Sequence, residues 1–340
     1  MQSKQTETQS ETILTGDRAT GPLHLGHYVG SLQQRVALQS IHQQTILVAD
    51  MQGLTDNAHQ PEKVSSNILN VVADYLAVGI DPQQTTICLQ SQLPALAELT
   101  MYYSNLVSIA RLERNPTVKN EIHSKGFGRS IPAGFLTYPI SQAADISAFR
   151  ATLVPVGDDQ LPMLEQTNEI VRKINSLAGG EVLLECRALL SNAPRLPSTD
   201  GKNKMSKSMG NAINLGASEQ EIRAAVKSMY TDPNHLRVDD PGQIEGNVVF
   251  TYLDAFHPDH AYVAQLKEQY QRGGLGDGTT KKILEECLQE LLKPIRERRQ
   301  CYLDDKAQLI EILRLGSQIA QDKTAQVLID VRGVFGLNLF

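Results

Sequence analysis

Up to about residue 180, apolar positions alternate between helical spacing and short continuous runs; after about residue 218 they keep helical spacing only. Ile13-Leu14 is a short apolar segment that feeds a stretch punctuated by Gly16, Gly21, Gly26 and Gly30. From about Pro22 to Ser40, the residues Leu23, Leu25, Tyr28, Val29, Leu32 and Val36 recur at the period of a helix. Thr45 to Asp50 reads as a buried strand ending in a carboxylate, and Asn57 to Pro61 as a turn. Glu62 to Val78 is again helical, capped by Gly79, before a strand at Thr85 to Leu89 and a helix at Ala95 to Ile109. Asn115 to Ser130 has no clear period and reads either as a mobile ligand loop or as an ordinary surface connection. A helical region at Phe135 to Phe149, a strand at Ala151 to Val156 and a long helix beyond Gly157-Asp-Asp-Gln160 complete the alternation.

Alternating helices and strands predict an α/β fold, a doubly wound, Rossmann-like parallel sheet. Ser191 to Asn203 is a linker rich in proline and serine. Five helices are expected after it: Glu219 to Met229, Val248 to Phe256, Ala261 to Tyr270, Thr279 to Arg299 and Lys306 to Val327. Gly273 to Gly278 reads as a flexible loop between two of them. The expected organisation is a tail (1–11), a catalytic domain (12–203), a lysine-bearing loop (204–216), a second, all-helical domain (217–305) and a last helix (306–340) packing back on the first.

Composition narrows this little. The 340 residues are 41% apolar, with no run that approaches a membrane span and no signal-like start, so cytoplasmic residence is expected. Cys88, Cys186, Cys287 and Cys301 are widely spread and form no metal-like pair. The net charge of −6 neither requires nor excludes RNA, because a positive field can be confined to one face.

Two stretches carry candidate chemistry. In Leu14 to Gly30, a strand end, a tight glycine turn and a helix start would bring His24 and His27 to nearly one face. A helix start also offers backbone N–H groups and positive potential to a phosphate. The Walker A spacing and Gly-x-Gly-x-x-Gly are both absent, so a glycine-capped loop with two surface histidines is the alternative. Far along the chain, Lys204-Met-Ser-Lys-Ser208 sits between Gly201 and Gly210. Two ammonium groups with hydroxyls on a glycine-flanked loop suit a departing polyphosphate. A basic surface turn is the other reading.

His24-Leu25-Gly26-His27 and Lys204-Met-Ser-Lys-Ser208, in that order, resemble the two signatures of class I aminoacyl-tRNA synthetases. Gly21 to Gly30, Ala49 to Asp56, Tyr138 to Asp145, Val154 to Gln160 and Pro194 to Pro197 sharpen the resemblance to the tryptophanyl-tRNA synthetase family, over nearly the whole chain.

That resemblance implies a ligase that activates L-tryptophan with ATP, accompanied by Mg²⁺, and transfers it to tRNA(Trp), working as a homodimer. It implies catalytic roles for His24, His27, Lys204 and Lys207, and for Lys119 on a looser match. It places Gly16, Thr20, Gly26, Gly157, Asp159, Met205 and Ser206 around ATP as well. Asp145 matches the acceptor of the indole N–H, Val154 and Val156 match pocket walls, and Tyr138 and Gln160 match contacts to the amino group. No protein metal site is implied. Gln52 and Gln142 depart from the common bacterial pattern, which has histidine and methionine there, and would make the pocket more polar. Lys281, Lys282, Lys293, Arg296, Arg298 and Arg299 are candidates for tRNA phosphate contacts, or an ordinary solvated helix face. A tyrosyl enzyme, an inactive RNA-binding paralogue and a nucleotidylyltransferase are the rival functions. The last two fit less well, because both signatures are present and about 130 residues follow Ser208.

Overall fold

The structure, a computed structural model, describes residues 10–128, 130–190, 196–201, 205 and 211–339. Its centre is a parallel sheet of β1 (Thr12–Arg18), β2 (Gln43–Ala49), β3 (Thr85–Leu89), β4 (Leu153–Val156) and β5 (Arg187–Leu190), in the order β3-β2-β1-β4-β5. Both faces are covered, which is why the strands read as runs and not as alternations. Ile46 and Val48 of β2 enter one apolar cluster, whereas Leu47 enters another with Leu14, Cys88 and Val154. From β1 the chain winds outward to β3 and then returns to lay β4 on the other side of β1. The order therefore reverses between β1 and β4, and that reversal opens a crevice at the carboxyl edge.

Helix α1 (Ile68–Ala77) belongs to the first cluster. Helices α2 (Pro94–Ser104), α4 (Ala133–Ala148) and α5 (Leu161–Ala178) belong to the second, with α3 (Pro116–Lys125) at its margin. Farther along the chain come α6 (Glu219–Ser228), α7 (Val248–Phe256), α8 (His260–Arg272), α9 (Asp277–Asp304) and α10 (Lys306–Val334), while most of the expected linker 191–203 lies outside the described residues. Helices α6 to α9 extend the first cluster, through Ile222, Phe250, Leu266, Leu284 and Leu292. Helix α10 covers the β3 edge: a Cβ on Gly316 would lie 2.0 Å from the Ile87 carbonyl oxygen, and Ser317 Oγ accepts from Leu89 N at 3.1 Å. Such a cover removes an open edge from the sheet.

Local chemistry accounts for the departures from the expected elements. The helix expected at 62–78 is broken: Pro61–Ser65 is separate from α1, and Asn67 Nδ2 between them donates to the Lys63 carbonyl at 2.7 Å. Likewise α2 stops at Ser104, where Asn105 Nδ2 turns back on the Met101 carbonyl, and a new turn Ile109–Glu113 starts under the Ser108 cap. The aperiodic stretch 115–130 holds α3, capped at its start by Asn115 Oδ1 accepting from Thr117 N and ended by left-handed Gly126. Strand β5 departs from the expected elements; it is a four-residue edge whose short apolar run, Ala188 to Leu190, is only partly buried. The Gly273–Gly278 segment is pinned rather than loose. Gly274 N donates to the Val238 carbonyl at 2.7 Å, and Gly273, at φ +89°, passes so close to Asp239 that a Cβ would lie 2.3 Å from its carbonyl oxygen.

Candidate active site

β1 ends at Arg18, and the chain turns at Gly21 and Pro22 into three joined helical segments: Leu25–His27, a π-helical turn Tyr28–Leu32, and Gln33–Leu38. His24 caps the first of them. Its Nδ1 accepts from Gly26 N at 3.1 Å, while His27 Nδ1 accepts from His24 N at 3.2 Å. Both Nδ1 atoms are acceptors, so each ring, when neutral, carries its proton on Nε2. The two rings stand 3.9 Å apart between centroids, His24 buried and His27 half-buried.

This reciprocal cap changes the expectation for the helix start. The backbone N–H groups of His24 and Gly26 go to the two imidazoles, Leu25 N goes to the Ile213 carbonyl at 2.9 Å, and His27 N goes to the His24 carbonyl at 2.8 Å. The N–H groups from His24 to His27 at this helix start are therefore all engaged within the protein. Gly26 is required for packing: a Cβ there would lie 2.9 Å from His24 Cε1 and 3.1 Å from Met205 Cε.

That last contact brings Met205, of the second signature, to the first. Met205 is buried, and the Tyr252 hydroxyl donates to its sulfur at 3.5 Å. Thr199 N donates to the Asn211 carbonyl at 3.2 Å, closing the segment between them, and Leu215 N donates to the Leu23 carbonyl at 2.9 Å. Residues 213–215 thus run antiparallel beside 23–25, with His24 opposite Asn214. Lys204, Ser206 and Lys207, like Pro194 and Arg195, lie outside the described residues.

A second group of residues forms around Asp145, on α4. The stripe Gly134, Thr137, Tyr138, Ser141 and Asp145 shares one helix face. Its first four members, with Met51, Gln52 and Thr55, line a cavity of about 170 Å³. Asp145 is buried and accepts from Gln52 Nε2 at 2.8 Å and from Gln90 Nε2 at 3.1 and 2.9 Å. Gln90 Oε1 in turn accepts from Gln52 N at 3.0 Å. Burial raises the Asp145 carboxyl to about 7, against the lowering effect of the Gln90 bond. Sequence reasoning missed Gln90, which follows β3 and meets Asp145 only in the fold. A polar residue directly after a buried strand was its one local signal.

The other expected site residues are spread around this edge. Tyr138 is half-buried and donates to Glu121 Oε2 at 2.8 Å; burial, with the Glu121 carboxylate beside it, pushes its phenol well up. Gln142 and Val156 are half-buried, and Val154 is buried among the core residues of β4's inner face. Gly157 and Asp159 are exposed at the end of β4, where Thr117 Oγ1 donates to the Asp159 carbonyl at 2.6 Å and Gln160 Nε2 reaches Asp159 Oδ2 at 3.3 Å. Lys119 is exposed on α3, two residues beyond Thr117. Thr20 is half-buried in the turn after β1. Gly16 lies inside β1, where a Cβ would meet the Leu47 carbonyl oxygen at 2.2 Å, so it serves sheet packing.

Comparison with known proteins shows the family. Residues 6–293 match the family of class I tRNA synthetases for W and Y. The chain is 56% identical over 334 residues to a tryptophan–tRNA ligase of Clostridium longisporum, covering 97% of this chain and 98% of the relative. Its identity to a tryptophan–tRNA ligase of Streptococcus pyogenes serotype M3 is also 56%, over 335 residues, covering 96% and 98%. Among solved structures, a Campylobacter jejuni tryptophanyl-tRNA synthetase complexed with ADP and tryptophan superposes with a TM-score of 0.84 at 31% identity, covering 96% of this chain and all of that one. The chain belongs to the tryptophanyl-tRNA synthetase family of class I.

Proposed function

We propose that the chain activates L-tryptophan with ATP, releasing diphosphate, and transfers the tryptophanyl group to the 3′-terminal ribose of tRNA(Trp). One observation carries the choice of amino acid: a buried carboxylate held by two neutral amides. Two amide nitrogens make three contacts to Asp145: both reach Oδ2, and Gln90 Nε2 also reaches Oδ1 in the longest contact, which leaves Oδ1 an acceptor position for an indole N–H. A substrate without that donor leaves a buried carboxylate short of a partner, so phenylalanine is rejected by about 10⁴-fold.

Nucleophile and leaving group are both competent in the first step, so alignment and charge stabilisation are the protein's task. The tryptophan carboxylate attacks the α-phosphorus of ATP, and the bond to the bridging oxygen of diphosphate breaks. In this reading Nε2–H of His27, and of His24 behind it, donates to phosphate oxygens, and Lys204, Lys207 and Ser206 receive the leaving diphosphate. Lys119 approaches from the β4 side, where Gly157 and Asp159 border the nucleotide. Tyr138 and Gln160 serve the substrate's amino group, with Gln142, Val154 and Val156 around the ring. Magnesium enters with ATP as part of the substrate.

The anticodon end of tRNA goes to α6–α9, and the chain works as a homodimer in the cytoplasm. The exposed Met101 and Ile109 offer an apolar face for that pairing. Among the described residues no helix is long and apolar enough to cross a membrane. The deciding experiment is amino-acid-dependent exchange of diphosphate into ATP, run with tryptophan, tyrosine and phenylalanine in parallel. Exchange with tryptophan alone is expected. An equal signal with tyrosine would overturn the assignment.

A further inference from the structure

Three arginines near the end of α9 bond back to the body of the fold, Arg298 while staying exposed. Arg298 Nε donates to the Ala77 carbonyl at 2.7 Å, at the end of α1, and Arg296 Nη1 donates to the Ala217 carbonyl at 2.8 Å. Arg299 reaches deepest. Its Nε lies 2.5 Å from Asp74 Oδ1 and its Nη2 donates to Asn70 Oδ1 at 3.0 Å, both on α1. It passes Gly216 so closely that a Cβ there would come within 3.0 Å of Arg299 Cδ. Asp74 is fully buried inside an otherwise apolar helix face, where a carboxylate persists only with a cation and further donors. Its other oxygen, Oδ2, accepts from Leu23 N at 2.7 Å, and Leu23 immediately precedes His24.

We propose that Arg299 is a positioning residue for the nucleotide site. Through Asp74 it holds the backbone of Leu23 and so sets where the His24–His27 turn stands relative to the helical region. The inference rests on the reading of that turn as the ATP phosphate site. The same end of α9 grips both flanks of the site. Asp74 fixes the turn residue Leu23 ahead of the imidazoles, and Arg296 fixes the chain at Ala217, next to the 213–215 segment paired with Leu23 and Leu25. A shift of α9, such as one on engaging a large ligand, therefore moves both walls of the nucleotide site together, while the Asp145 pocket, anchored on α4, β2 and β3, has no share in the contact.

The test uses the full chain with Arg299→Lys, Asp74→Asn, and the double variant Asp74→Leu with Arg299→Leu. Losing one partner strands a buried charge, so the double variant, which removes both, guards against simple failure to fold. KM for ATP and for tryptophan are read from diphosphate exchange, the dissociation constant for ATP from equilibrium dialysis, and folding from thermal melts. In the folded double variant KM and the dissociation constant for ATP rise about tenfold while KM for tryptophan stays within about twofold; Arg299→Lys, which keeps the charge, recovers most of the loss. The proposal is overturned if the folded double variant keeps native ATP binding, or if both KM values rise together in step with a lowered melting temperature. Absence of tryptophan-dependent exchange in the native chain would sink the functional reading alone, because dialysis still tests Arg299.

Discussion

The two halves of the site are built by opposite means. The imidazole turn is local: His24 and His27 cap each other's backbone within four residues, and one glycine keeps the rings and Met205 close. The Asp145 pocket is assembled from three elements. Gln52 follows β2, Gln90 follows β3 and Asp145 lies on α4, so its partners are 93 and 55 residues away in sequence. The first half orients both rings through their Nδ1 acceptors. The second holds a carboxylate in a place where water cannot stabilise it. Damage to one half should leave the other standing, and the following changes break or sharpen that separation.

The largest effect is expected for Asp145→Ala: kcat/KM for tryptophan falls about a thousandfold, with KM for ATP within about threefold, read from steady-state diphosphate exchange. Gly26→Val comes next. Its side chain meets the His24 ring and Met205, so KM for ATP rises about thirtyfold while tryptophan binding is kept. Gln90→Leu strips two donor contacts from Asp145 and the acceptor from Gln52 N; at about 1–3 kcal/mol for a stranded buried group, KM for tryptophan rises about tenfold.

A pH series sharpens the comparison further. The Asp145 carboxyl lies near 7, so its neutral form predominates below that and the form that accepts an N–H predominates above. KM for tryptophan therefore falls about tenfold from about pH 6 to about pH 8, with no matching change in KM for ATP. Stability moves the opposite way. The folded chain keeps a proton that the unfolded chain has already lost between about pH 4 and 7, so stability declines as pH rises through that window. Asp145→Asn removes that decline, as measured by denaturant melts across the range. Smallest of all is Ser317→Ala: it leaves Leu89 N without its acceptor, costs about 1 kcal/mol of stability and moves neither KM more than about twofold.

The same contrast explains what could be read from the chain before folding. Continuous apolar runs gave away β2 and β3 because both sheet faces are buried, and paired signatures pointed to a nucleotide site. Helix α3 was legible in principle, since Asn115-Pro116 and Gly126 are start and stop signals, but its solvated middle lacks a period. β5 offered only four half-exposed residues. Gln90 had only a polar residue after a buried strand to mark it, because its importance lies in a carboxylate on another element, and Asp74 meets Arg299 only in the fold, across 225 positions. Local caps can be inferred from spacing, whereas long-range polar pairs need the fold.

The separation itself is tested most directly by equilibrium dialysis of labelled tryptophan and of ATP, each alone, against the native chain, Asp145→Ala and Gly26→Val. The account predicts a crossed result: Asp145→Ala loses tryptophan and keeps ATP, and Gly26→Val does the reverse. Equal loss of both ligands in either folded variant would contradict it.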